Sequence, residues 1–250
     1  VLLAILAARW LAGDKPAAGD PLRLLPPDAF VCLDTGDLAR TSSVVLRLPL
    51  WQESRKDDLG RDVKADLAAA IAAEVGDLSR REAAALLDQI RRATLAWAPG
   101  DGDKPSWVLV LGLTDAVAVK TLLNQDSLWL RQSQATLQRT TLRRLDLKRG
   151  DKLFLAEAGA LLAISPDSSL ARFAQDADAR DRATLADLPL RLTAAERDLP
   201  WALADPAAAR RLREAGASSP AIRSVADLLG LLAEAATRSA ARPATRVLFL

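Results

Sequence analysis

The chain has no histidine, no tyrosine and no methionine, and only one cysteine, Cys32, in 250 residues. The lack of histidine removes the commonest general base, the commonest metal ligand and every Ser/His or Cys/His nucleophile pair. The lack of tyrosine removes a further proton donor. A single cysteine excludes an intrachain disulfide and a Cys-rich zinc site. Set in the apolar run FVCL, Cys32 reads as a buried thiol rather than a reactive one. There is no GxGxxG or Walker loop to cradle phosphates and no GxSxG nucleophile elbow. The net charge of +2 gives no global field for nucleic acid or membrane. The chain opens inside the apolar stretch VLLAILAARWLAG and closes on the strand-like TRVLFL. With no methionine present, it reads as a fragment of a longer protein.

What is present is a globular pattern, half apolar and about a quarter charged. Its organising stretch is Ser106 to Asn124. SWVLVLGL fits a strand apolar on both faces, with Trp107, Leu109, Leu111 and Leu113 on one and Val108 and Val110 on the other. Thr114 stands where a helix N-cap belongs, Asp115 in the first turn, and Val117, Lys120, Thr121 and Asn124 follow at helical spacing.

Residues 1–12 have the length of the end of a signal or anchor helix, too short to span a bilayer alone. Residues 13–27, with four prolines and two glycines, read as a linker. A first α+β unit is expected over 28–190. It starts with the strand AFVCLD, which Asp34-Thr-Gly36-Asp37 turns into a helix with Leu38, Val44, Val45 and Leu48 until Pro49 interrupts it; from Asp62 a second helical stretch has Val63, Leu67, Ile71 and Val75 on one face. Ser79 and Glu82 form a capping box for a helix carrying Leu86, Leu87 and Ile90. A strand follows at Thr94 to Ala98, and Asp101 to Pro105 is a charged turn. Thr140 to Ile164 reads as an antiparallel meander turning at Gly150-Asp151 and Gly159. A short helix is expected at Leu170 to Phe173, capped by Ser165 or Asp167, with Asp176 to Asp187 as loop or weak helix.

Residues 191–250 replay the start. Pro-Trp201-Ala-Leu-Ala-Asp205 parallels Phe30-Val-Cys-Leu-Asp34, a helical stretch follows each, and Ala244-Thr245 before a strand parallels Ala93-Thr94. This reads as a second, truncated copy of the unit. The fold class expected is α+β, with mixed or antiparallel sheets covered by helices.

The proline-led strand ending in Asp, the VLVLGLTD strand running into a helix, and the hairpin closing on ALLAISPDSS resemble a widespread bacterial family known only as a domain of unknown function. The resemblance implies one N-terminal transmembrane helix and an extracytoplasmic, repeated α+β region. It supplies no catalytic residues.

Four carboxylates stand at strand-to-helix junctions: Asp34, Asp37, Asp115 and Asp205. Such acids can do acid/base work or hold a cation, but helix capping explains them as well. Arg131, Arg139, Arg143, Arg144, Lys148, Arg149 and Lys152 outnumber Asp146 and Asp151. This run could touch phosphates or an anionic membrane, but it reads more simply as a solvated sheet face or edge. No aromatic residues interleave it, which counts against single-stranded nucleic acid. The six tryptophans read as core and anchor residues.

These features together predict a membrane-anchored extracytoplasmic binding or scaffold module of the inner membrane. It would lack catalytic residues, cofactor and metal, and would engage an envelope protein or ligand rather than nucleic acid. A His-independent hydrolase or transferase, and a soluble cytoplasmic domain, are the alternatives. A cleft gathering Asp34, Asp37 and Asp115 would favour the enzyme, whereas acids each capping its own helix would favour the module.

Overall fold

The apolar run Val31–Asp34 forms strand β1, four residues long, between two longer histories of chain. The structure, a computed structural model, describes residues 19–38, 40, 65, 68–69, 72–73, 79–117, 132–137, 140–146, 151–180, 183–185, 198, 200–204 and 247–249. After β1 come helix α1 (Arg80–Leu87), β2 (Ile90–Pro99), β3 (Pro105–Leu113), β4 (Gln132–Leu137), β5 (Thr140–Asp146), β6 (Lys152–Ala158) and β7 (Leu161–Ser165). Helix α2 (Ser168–Arg180), β8 (Trp201–Ala204) and β9 (Val247–Phe249) complete the described elements.

The strands form one sheet in the order β4-β5-β6-β7-β3-β2-β1-β8-β9. Every neighbouring pair is antiparallel. The architecture is α+β. The middle strands must be apolar on both faces, because both faces are covered. Val108 and Val110 join Cys32, Ala96, Ala98, Ala163 and Leu203 on one face, under Leu22, Leu24 and Leu25 and under Leu170, Ala171 and Ala174 of α2. Leu111 and Leu113 lie on the other with Ala93, Leu155 and Leu162, under Ala83 and Leu87 of α1 and Leu38. Trp97 and Trp107 extend that second face beside Val31. The alternation expected for 106–113 is thus present.

Several boundaries differ from expectation, each for a visible reason. Ile90 opens β2 instead of continuing α1, which stops at Leu87. Across from it, the β3 ladder captures the chain four residues earlier than the Thr94 start predicted. Helix α2 runs thirteen residues to Arg180, well past the expected Phe173, so that Asp176, placed in a loop or weak helix, is helical and buried. The buried stripe Ala171, Ala174 and Ala177 holds it down. Within the supposed linker, Pro21–Leu24 is a 3-10 turn whose Leu22 and Leu24 are fully buried, with Asp20 accepting from the Leu22 amide. Strand β4 had no counterpart in the sequence reading. The expected capping box at Ser79 and Glu82 is present, each side chain bonded to the other's amide. Thr114 does not cap: its hydroxyl donates to Gln89 Oε1 at 2.7 Å, and Asp115 is the last residue before helical Ala116 and Val117. The stretch beyond Val117, residues 1–18 and most of 39–78 and 205–246 lie outside the described residues.

The pairing of β1 with β8 has a particular register. Val31 faces Ala204, Cys32 faces Leu203, and Leu33 faces Ala202.

Candidate functional site

Asp34 ends β1 and Asp37 follows the turn at Gly36, whose φ of 61° is in the region that favours glycine. The turn lets the Gly36 amide donate back to Asp34 Oδ1 at 2.7 Å. These two acids thus reach one end of the sheet, as expected. They do not face each other in a shared bond. Each is met by its own arginine from β2.

Arg92 Nε donates to both oxygens of Asp34, at 2.9 and 3.1 Å, and the Thr94 hydroxyl donates to Asp34 Oδ2. Asp34 is 1% exposed. Burial pushes its carboxyl above the ordinary value, against the opposing pull of Arg92, Thr94 and the Gly36 amide. Directly across from Asp34 on β8 stands Trp201. Two buried donors on this face, Arg92 Nη2 and Trp201 Nε1, have no acceptor among the described residues. The row is therefore dense in donors and short of acceptors, a setting in which one carboxylate is already heavily subscribed.

Arg91 points to the other acid: its Nη2 and Nε lie 2.8 and 3.2 Å from Asp37 Oδ2. Asp37 Oδ1 accepts from the Arg40 amide at 3.1 Å, which is the bond of a helix N-cap. The Asp37 amide donates to the Asp198 carbonyl at 2.9 Å, and Arg40 pairs with the Asp198 carboxylate, both half exposed. Asp115 is exposed at the head of its own helical turn, and Asp205 lies outside the described residues. The structure thus brings Asp34 and Asp37 to one end and gives each a structural partner.

The cysteine is where its sequence setting placed it. Cys32 is fully buried, and burial, helped by the Asp34 charge, drives its thiol well above the ordinary value. Of the basic run, Arg143 and Arg144 lie on β5 and Lys152 on β6. The others lie outside the described residues. Among the described residues, no group of three or more His, Cys, Asp or Glu side chains is placed to hold a metal ion. No described helix is long and apolar enough to cross a membrane, and residues 1–12 are outside the described set.

The partners that sequence reasoning missed are Arg91, Arg92 and Thr94. Their signal was faint: two adjacent arginines at the head of an otherwise apolar strand. Nothing in the sequence ties them to acids more than fifty residues away. Compared with protein families, with characterised proteins and with solved structures, the chain has no significant match.

Proposed function

We propose that the protein is a non-catalytic binding or scaffold module of the bacterial envelope, anchored through residues 1–12 with its sheet domain outside the cytoplasm. We further propose that it is built from two copies of one strand–helix–strand unit. The supporting observation is the treatment of its junction acids. Asp34 is buried and neutralised by Arg92, and Asp37 is held by Arg91 while capping the helix at Arg40. Carboxylates engaged in this way organise a strand end and leave little freedom for proton transfer. The apolar run over residues 1–12 supports the anchor. The β1–β8 register supports the duplication.

The test is localisation of the natural protein with and without residues 1–12. The anchored module requires detergent for extraction, with its domain cut by protease added from outside the cytoplasm, and becomes soluble when 1–12 are removed. Recovery of the natural form in the soluble cytosolic fraction would sink this reading.

A further inference from the structure

Gly19 is exposed at one end of the sheet. A Cβ built on it would lie 3.7 Å from Leu161 Cδ1. Leu161 opens β7 just after the Gly159 turn and pairs with Gly112, and the next residue of β3, Leu113, donates its amide to the Ala160 carbonyl at 2.9 Å. From Gly19 the chain crosses the face that holds Cys32, burying Leu22, Leu24 and Leu25 on it. It arrives at Phe30, whose amide donates to the Trp97 carbonyl at 2.9 Å. Trp97 stands opposite Trp107, beside the Gly100–Lys104 turn at the other end of the sheet. The chain therefore meets the sheet at the Gly159 end and reaches the Gly100 end before β1 begins. Along β3, from Gly112 to Pro105, these ends are about 23 Å apart.

Residues 13–18 separate Ala12 from Gly19. Fully extended they span at most about 25 Å, and as a coil about 15 Å. With residues 1–12 in the bilayer, Gly19 is held within that reach of the lipid surface, and the Gly159 end of the sheet with it. The same end carries Val117, 70% exposed, in the helical turn after Leu113, together with exposed Asp115 and Glu157. One exposed valine and two carboxylates supply little affinity for lipid. Contact at this end is thus imposed by the short tether and not by the surface itself.

We propose that the domain stands on the extracytoplasmic lipid surface by the Gly159 end of its sheet, with Val117 and Glu157 at the headgroups, and presents the Gly100–Lys104 turn away from the membrane. The proposal rests on the anchor reading and adds to it the surface that meets lipid. The outward end, where Phe30 and Trp107 are half-buried beside the exposed turn, is the end offered to an envelope partner.

The experiment uses the natural protein in phosphatidylcholine vesicles that contain a lipid with a nitroxide quencher on its headgroup. A fluorophore is attached in turn at Val117→Cys, Glu157→Cys and Lys104→Cys, all exposed positions, while buried Cys32 stays unlabelled. Quenching at the first two positions is expected to exceed that at the third by at least about threefold, given ends about 23 Å apart. A Gly/Ser insert of about twenty residues after Ala18 adds a coil of about 25 Å. It should bring quenching at the first two positions down to the level of the third, with detergent still required for extraction. Equal quenching at all three positions, stronger quenching at Lys104→Cys, or quenching at Val117→Cys that survives the insert would each overturn the proposal. Any of these patterns in detergent-dependent protein sinks the orientation alone. Protein that never enters the vesicle fraction sinks the anchor reading and the orientation with it.

Discussion

Removing the Arg92 guanidinium leaves Asp34 buried with only the Thr94 hydroxyl and the Gly36 amide to stabilise its charge. Breaking a buried pair from one side costs about 3–5 kcal/mol, and Arg92→Ala is expected to lose stability on that scale in urea denaturation. The loss has a pH signature. The folded-state pKa of Asp34 is raised, so the group favours the folded state at acidic pH, and that advantage is lost as pH rises through the folded value. Without Arg92 the carboxyl rises further. The deficit of Arg92→Ala should therefore shrink as pH falls from about 7.5 towards about 4.5; a deficit that stays constant would show that Asp34 is not its source. Cys32 gives a second residue-scale prediction. Being fully buried with a raised pKa, it should react with a thiol reagent only through opening of the native fold, and so far more slowly than in the urea-unfolded chain. Labelling at the same rate in the native and unfolded states would contradict this. The burial of Cys32 was legible from its apolar neighbours. The Asp34–Arg92 bond was not, because the ladder that unites them spans 58 residues of separation.

At the scale of elements, Asp167 ties the start of α2 to the β2–β3 turn. Its carboxylate accepts from the Ser169 amide and hydroxyl and from the Leu170 amide, and its other oxygen accepts from the Asp101 amide. Partial burial works against the charge, but these donors win and hold the pKa below the ordinary value. Their stabilisation is present at neutral pH and is lost as pH falls through that lowered value. Asp167→Ala should cost about 0.5–2 kcal/mol as a lost cap, and should also raise exchange at the Asp101 amide, which loss of helix alone would not. Gly100 is placed for the same junction. A Cβ there would sit 2.1 Å from Asp167 Oδ2 and 3.0 Å from Ser106 Cβ. Gly100→Ala must push the cap aside, and a thermal midpoint equal to the parent would show the turn yields without harm. The cap itself was among the sequence candidates, but the length of α2 was not. Alanines make its buried stripe, and alanine carries a weak hydrophobic signal beside so many acids and arginines. Strand β4, QSQATL, has no alternation to announce a strand at all. Ile90 lies at helical spacing from Leu86 and Leu87, and only the long-range ladder decides against the helix.

For the whole molecule, the α+β class and the antiparallel meander followed from local pattern, since the hairpin strands alternate and turn at Gly159, where φ is 59°. Strand order did not. Nothing local says that β7 returns to β3, or that β1 ends up between β2 and β8. That position has a mechanical meaning. Strands β1 and β8 are four residues long and β9 three, whereas β2 and β3 run ten and nine. Among the described residues, the ladders β3–β7, β1–β2 and β1–β8 therefore hold four residue pairs each and β8–β9 three. Tension applied between the meander and β9 loads these short ladders, whose rungs share the force side by side and are few. Under steady pulling between a handle in the meander and one at β9, the first rupture should fall in one of these short ladders and leave the β2–β3 ladder standing.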